Sequence, residues 1–129
     1  MISSYNWKGK VILVAEDEEI NYLFLDEVLN RTGAKVLWAK NGKEAIEMYR
    51  KNRVDLILMD LKMPEMNGYE AMQQIKDNKG TTKIIAQTAF AMSGEREEIL
   101  DAGFDGYISK PIKIAELLKL MEKNFSIDD

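Results

Sequence analysis

Five short apolar runs recur along the chain, and each is followed by a stretch in which apolar and polar residues follow helical spacing. Runs of about four to eight apolar residues are typical of strands buried on both faces of a sheet. Strands that alternate with helices predict a parallel sheet with helices packed on it. The predicted strands are Val11–Ala15, Lys35–Ala39, Leu56–Asp60, Lys83–Thr88 and Tyr107–Ser109, and the predicted helices are Glu19–Thr32, Lys43–Asn52, Tyr69–Asp77, Gly94–Ala102 and Ile114–Asn124.

Turn residues agree with this division. Gly33 and Gly103 follow the first and fourth predicted helices, where a left-handed residue commonly ends a helix. The Asn41-Gly42 pair would suit a hairpin turn between strands, but the helical pattern that follows it favours the start of a helix. Ser93 is a candidate cap for the fourth helix.

Polar residues stand at the ends of four of the predicted strands. Glu16 and Asp17 follow the first strand, Asp60 ends the third, Thr88 ends the fourth and Lys110 follows the fifth. Because the carboxyl ends of parallel strands meet at one edge of the sheet, we expect these side chains to converge there. The sequence therefore predicts a cluster of three carboxylates beside a hydroxyl and an ammonium group.

Crowded carboxylates repel one another unless a cation joins them, and Mg²⁺ prefers octahedral oxygen coordination. With Asp60 as the nucleophile, attack on a phosphoryl donor would form an acyl phosphate. Thr88 and Lys110 can then donate to the phosphoryl oxygens. Taken singly, each of these residues is an ordinary surface or turn residue, and only the complete set favours a phosphoryl site.

Composition excludes several other chemistries. The chain has 129 residues, which fit one domain over residues 1–129, and a net charge of -4 with no basic block, so we expect no direct nucleic-acid partner. It contains no cysteine, which removes disulfides and thiolates, and no histidine, which removes Ser-His catalysis and imidazole metal ligands. The first ten residues lack the apolar stretch of a signal peptide, and no apolar run is long enough to span a membrane, so we expect no signal peptide, a cytoplasmic location and no membrane contact.

The residues at the strand ends closely resemble the receiver domain of bacterial two-component response regulators. The resemblance covers about residues 9–125, and the start of the chain is most like receivers of hybrid histidine kinases. The segments that carry it are Ile12-Leu13-Val14-Ala15-Glu16-Asp17-Glu18, Leu56-Ile57-Leu58-Met59-Asp60-Leu61-Lys62-Met63-Pro64-Glu65-Met66-Asn67-Gly68, Gln87-Thr88-Ala89 and Ser109-Lys110-Pro111-Ile112.

The resemblance implies a flavodoxin-like fold, a doubly wound five-stranded parallel sheet with strand order 2-1-3-4-5, two helices on one face and three on the other. It implies a signalling phosphoacceptor that catalyses only its own phosphorylation and dephosphorylation. The implied roles are Asp60 as phosphoacceptor; Glu16, Asp17, Asp60 and the backbone carbonyl of Lys62 as Mg²⁺ ligands; Thr88 and Lys110 as phosphoryl contacts; Thr88 and Tyr107 as switch residues; and Lys62 and Phe90 as residues that tune the phosphoryl lifetime.

The implied partner is a histidine kinase or a histidine phosphotransfer domain, and a homodimer is a further possibility. On the first helix, Ile20 and Leu23 fall on or beside the polar face and are the predicted docking residues. The predicted core face of that helix carries Asn21, Phe24, Leu25 and Val28.

Three rival functions share part of this pattern. A phosphatase of the haloacid dehalogenase type needs a second Asp two residues after the nucleophile, where this chain has Lys62. A flavodoxin-like or dinucleotide-binding module would share the sheet but needs a phosphate cradle after the first strand, where residues 16–22 are acidic and contain no glycine. A receiver that serves only as an interaction platform would leave the complete phosphorylation set unexplained.

Overall fold

The computed structural model describes residues 2–77, 80–89 and 93–127, and within them it shows a five-stranded sheet in the order β2-β1-β3-β4-β5. Every strand pair is parallel, as the sequence predicts. After a short 3₁₀ helix, the elements are β1 (Val11–Ala15), α1 (Glu19–Asn30), β2 (Lys35–Ala39), α2 (Gly42–Lys51), β3 (Leu56–Asp60), α3 (Gly68–Lys76), β4 (Lys83–Thr88), α4 (Ser93–Ala102), β5 (Gly106–Ser109) and α5 (Ile114–Ile127).

Element boundaries differ from the predicted ones by a few residues at most. The helix α1 ends at Asn30, two residues before its predicted end, and α5 runs three residues beyond its predicted end. Asn41 caps α2, since its side chain accepts a hydrogen bond from the backbone N–H of Glu44 at 2.9 Å. Gly33 and Gly103 both have positive φ, as predicted for residues that end helices. The side chain of Ser93 lies outside the described residues.

Two apolar layers cover the sheet. Alternate strand residues point to opposite faces, so Leu13 belongs to the apolar cluster that includes residues of α2, α3 and α4, whereas Val14 belongs to the cluster that includes residues of α1 and α5. Two helices therefore lie on one face and three on the other, as predicted. Trp7 packs in the apolar layer that includes α1 and α5. Its indole N–H donates a hydrogen bond to Glu122 at 2.7 Å, and its ring contacts the Phe125 ring edge-on.

The predicted core face of α1 is wrong at Phe24. The residues that α1 buries are Leu25, Val28 and Leu29, whereas the Phe24 side chain is 44% exposed. Burial follows the i, i+3, i+4 stripe that faces the sheet, and Phe24 lies at the border of that stripe. Its ring instead lines a small cavity with Pro111 and the loop that follows β5.

Candidate functional site

Three carboxylates meet at the carboxyl edge of the sheet. Asp60 is the last residue of β3, and Glu16 and Asp17 directly follow the neighbouring strand β1. The pairing of Ala15 with Met59 sets the two strand ends level, which brings one oxygen from each carboxylate within 4.8 Å of the others. Glu16 is fully buried and Asp60 is 6% exposed, whereas Asp17 reaches solvent. The oxygens of this cluster are hard ligands of the kind that Mg²⁺ prefers.

The ammonium group of Lys110 faces two of these carboxylates. Lys110 Nζ lies 2.8 Å from Asp60 Oδ2 and 3.4 Å from Glu16 Oε1. The loop after β5 positions this side chain: the Lys110 backbone N–H donates to the carbonyl of Thr88, and the peptide bond from Lys110 to Pro111 is cis. Lys110 therefore reaches the cluster from the end of β5 and contacts both Asp60 and the buried Glu16.

The loop between β3 and α3 holds the other oxygen of Asp60. Oδ1 accepts a hydrogen bond from the backbone N–H of Lys62 at 3.0 Å. The loop closes tightly at Gly68, whose N–H donates to the carbonyl of Leu61, and a Cβ there would overlap the backbone carbonyl of Asp60. Asn67 caps the start of α3 in a reciprocal capping box with Glu70. Both carboxylate oxygens of Asp60 are thus oriented before any ligand arrives.

The crowding alters the acid–base behaviour of the cluster. Burial, together with the charge of Asp60, raises the pKa of Glu16 from 4.5 to about 7, although the backbone N–H of Glu18 and the charge of Lys110 act in the opposite direction. Burial lowers the pKa of Lys110, but the hydrogen bond and charge of Asp60, followed by Glu16, more than offset burial and raise it above its ordinary value. Lys110 therefore remains protonated at neutral pH.

An open cleft of about 770 Å³ lies above the cluster. Asp17, Asp60, Thr88 and Lys110 all line it, so the structure brings these predicted residues into one space. The side chain of Lys62 is exposed at its margin. Phe90, the other predicted lifetime residue, lies outside the described residues.

The two predicted switch residues both contact α4. The hydroxyl of Thr88 donates a hydrogen bond to the carboxylate of Glu95. The half-buried ring of Tyr107 lies beneath Arg96, whose guanidinium carbon is 5.6 Å from the ring centre. Glu95 is not among the site residues that the sequence predicts. Its position seven residues after Thr88, near the start of a helix, was the available signal.

Gln87 is a second residue whose position the sequence did not reveal. Its side chain is fully buried, and neither its amide nitrogen nor its amide oxygen has a hydrogen-bond partner among the residues that the structure describes. It lines both the cleft and a cavity of about 220 Å³ on the α1 side, as do Asn21 and Lys110. The strand pattern predicts a buried core residue at position 87, but the structure places a polar side chain there, beside the site.

Comparison with known proteins agrees with the geometry. The family model for the response regulator receiver domain matches residues 12–122. The polar-differentiation response regulator DivK of Brucella anthropi is 36% identical over 115 residues, which cover 88% of this chain and 94% of DivK.

Solved structures with the same fold include receivers with a metal ion and with a partner protein. The receiver domain of sensor histidine kinase PA1611 from Pseudomonas aeruginosa, which has a magnesium ion coordinated in its active-site cleft, is 35% identical, with a TM-score of 0.83 over 92% of this chain and 98% of that one. The Saccharomyces cerevisiae Ssk1 receiver, crystallised with the histidine phosphotransfer protein Ypd1, is 27% identical, with a TM-score of 0.87 over 92% of this chain and 90% of that one.

Within the described part of the chain, no helix combines the length and the apolar character that crossing a bilayer requires. The sheet order, the acidic cluster at its carboxyl edge and the match over residues 12–122 lead to one assignment. The chain belongs to the response regulator receiver domain family and is a signalling module of two-component systems, not a conventional enzyme.

Proposed function

We propose that this receiver accepts a phosphoryl group onto Asp60 from a phosphohistidine on another protein or domain, in a reaction that requires Mg²⁺. The observation that carries the proposal is the cluster of Glu16, Asp17 and Asp60, with Lys110 bound to Asp60 at 2.8 Å. The magnesium ion in the PA1611 receiver supports the assignment of the metal. Glu16, Asp17, Asp60 and the backbone carbonyl of Lys62 are the proposed ligands.

The bound ion would supply positive charge that offsets the repulsion between Asp60 and the phosphoryl oxygens. In the transfer, one carboxylate oxygen of Asp60 attacks phosphorus, the bond from phosphorus to the histidine nitrogen breaks, and that nitrogen retains the electron pair. Asp60 is suited to this step because the Lys62 N–H and Lys110 hold its two oxygens in fixed directions.

Lys110 and Thr88 are the proposed donors to the transferred group. Lys110 is protonated at neutral pH, since its pKa is raised, and its ammonium group already lies within 2.8 Å of the acceptor carboxylate. It can therefore pair with a phosphoryl oxygen after only a small movement. Thr88 and Tyr107 are the proposed switch residues, because they belong to adjacent strands that end beside Asp60.

The proposed docking surface for the phosphodonor is an apolar patch on α1, here called the α1 patch and formed by Ile20, Leu23 and Phe24. These side chains are 81%, 51% and 44% exposed. The patch begins at Ile20, three residues after Asp17, which lines the cleft, so a partner seated on the patch would lie beside the cleft. The complex of the Ssk1 receiver with Ypd1 supports a histidine phosphotransfer protein as the class of partner.

Acetyl phosphate tests the site without any protein partner. The parent domain, incubated with acetyl phosphate and Mg²⁺, should gain the mass of one phosphoryl group, and removal of Mg²⁺ with EDTA should prevent the gain. The Asp60→Asn variant should gain none, because it lacks the nucleophilic oxygen. Phosphorylation of that variant would refute the assignment of Asp60.

Replacement of Leu23 with Asp tests the docking surface separately. This variant should be phosphorylated normally by acetyl phosphate, which needs only the site, but should lose at least about tenfold in the rate of transfer from the cognate phosphohistidine protein. Leu100→Asp is the matched control, because Leu100 is 50% exposed on α4, outside the α1 patch. Equal transfer to the two variants would remove Leu23 from the interface.

A further inference from the structure

The Thr88 hydroxyl can donate only one hydrogen bond, but two acceptors compete for it: Glu95 and, under the proposed function, a phosphoryl oxygen on Asp60. A threonine side chain carries a single O–H donor. In this structure that donor is directed to Glu95 Oε1 on α4. Under the proposed function the same hydroxyl donates to a phosphoryl oxygen on Asp60. Because one proton cannot serve both acceptors, the bond to Glu95 and the bond to the phosphoryl group exclude each other.

Charge affects the competition between Glu95 and the phosphoryl group for the Thr88 hydroxyl. The bond from Thr88 to Glu95 has an ionised acceptor, and such bonds are roughly twice as strong as those between neutral groups. Glu95 and Asp60 line the same cleft, so a phosphoryl group on Asp60 adds negative charge on the side that Glu95 faces. Phosphorylation therefore both offers Thr88 a stronger acceptor and repels the group that holds it.

The next residue of the same helix contacts the second predicted switch residue. Arg96 lies over the ring of Tyr107, with its guanidinium carbon 5.6 Å from the ring centre. Thr88 pairs with Ser109 across β4 and β5, and Tyr107 lies two residues earlier on β5. Two consecutive residues of α4 thus contact Thr88 and Tyr107, so this helix touches both predicted switch residues.

We propose that Glu95 is a positioning residue: it holds the Thr88 hydroxyl on the α4 side while Asp60 is unphosphorylated and loses it when Asp60 is phosphorylated. The loss of this contact, beside the contact of Arg96 with Tyr107, loosens the start of α4 and transmits the state of Asp60 to that helix. The inference rests on the proposed function and adds to it a residue that opposes activation.

The test measures binding of beryllofluoride, which mimics a phosphoryl group on a carboxylate, by NMR titration in the presence of Mg²⁺. Glu95→Ala removes the competing acceptor and should lower the half-saturating concentration about tenfold. Glu98→Ala is the matched control, because Glu98 is an acidic residue on the same helix that lines the same cleft. Its effect, which reports only the loss of a negative charge, should not exceed about twofold.

Two further variants separate positioning from a general structural effect. Glu95→Gln keeps an acceptor oxygen without the charge and should fall between the parent and Glu95→Ala. In a Thr88→Val background, Glu95→Ala should change affinity no more than Glu98→Ala does, because the hydroxyl that Glu95 holds is gone. The Tyr107 ring signals of unliganded Glu95→Ala should already be displaced toward their positions in the beryllofluoride-bound parent.

Equal effects of Glu95→Ala and Glu98→Ala on beryllofluoride affinity would overturn the inference. An undiminished effect of Glu95→Ala in the Thr88→Val background would overturn it as well. Either result would leave the proposed function intact. If the parent domain does not bind beryllofluoride in a manner abolished by Asp60→Asn, the proposed function fails, and the role of Glu95 fails with it. Thermal unfolding of each variant verifies that the comparison is made on folded protein.

Discussion

Glu16 should make the metal-free domain less stable as the pH rises from 5 to 8. Its carboxyl is fully buried next to Asp60, and its pKa in the folded protein is about 7, against an ordinary value of 4.5. A group whose pKa is raised by folding binds its proton more tightly in the folded state. Its contribution to stability is therefore complete below pH 4.5 and is lost as the pH rises through 7.

The size of the effect follows from these two pKa values. Raising a pKa from 4.5 to about 7 means that folding disfavours the ionised carboxyl by about 3 kcal/mol. Most of this change falls between pH 5 and pH 8, where we expect a loss of about 2–3 kcal/mol from Glu16 alone. Other groups titrate in the same range, so the effect has to be isolated by comparison with a variant.

The assay is urea unfolding at pH 5, 6, 7 and 8 in EDTA, for the parent and for Glu16→Gln. The amide is neutral at every pH, so the variant should lack this part of the pH dependence and should gain stability relative to the parent as the pH rises. Glu97→Gln, at an exposed position on α4, is the control and should follow the parent. Saturating Mg²⁺ should reduce the gap, because the ion favours the ionised carboxylates.

Parallel curves for the parent and Glu16→Gln would refute the reasoning. They would show either that Glu16 is ionised throughout this pH range, with Lys110 fully offsetting Asp60, or that water reaches the carboxyl in solution. An opposite slope, in which the variant loses stability relative to the parent with rising pH, would show that the bond to Lys110 dominates over burial.

Three other predictions concern residues around the cluster. Gln87→Met should raise the free energy of unfolding by about 1–2 kcal/mol, because an apolar side chain of similar length replaces a buried amide that has no hydrogen-bond partner in the described part of the chain; a fall in urea unfolding experiments would contradict this. Gly68→Ala should destabilise the domain by about 1–3 kcal/mol, because its Cβ would overlap the Asp60 carbonyl, whereas Gly94→Ala should not, because its Cβ would meet none of the described residues within 4 Å apart from its chain neighbours. Millimolar Mg²⁺ should raise the melting temperature of the parent, because the ion binds only the folded cluster, and an equal rise in Asp17→Asn would locate the ion elsewhere.

Most of the fold follows from local signals in the sequence. Apolar runs of strand length that alternate with helical patterns determine a parallel sheet, and the ends of parallel strands align at one edge. The positions of Asp17, Asp60 and Lys110 at the ends of three apolar runs are therefore sufficient to predict that these side chains converge on one cleft. Gly33, Gly103 and Asn41 mark the ends and starts of helices for equally local reasons, since backbone conformation and capping depend on neighbouring residues.

Tertiary structure decided how adjacent residues of similar character were divided between core and solvent. Glu16 and Asp17 are both acidic and both follow β1, yet one is fully buried with a raised pKa and the other is exposed. Phe24 and Leu25 are both apolar, yet only Leu25 is buried, because it faces the sheet. A local pattern specifies which element forms, but burial depends on where neighbouring elements end.

Two other features also arise only in the folded chain: the hydrogen bond of Thr88 to Glu95, and the buried amide of Gln87, which has no hydrogen-bond partner among the described residues. The first joins the end of β4 to α4, and the second places a polar side chain where the strand pattern predicts apolar core. The sequence determined which groups reach the carboxyl edge of the sheet. Their hydrogen bonds, charge states and competition for donors are set by distances of a few ångströms between elements, which only three-dimensional packing fixes.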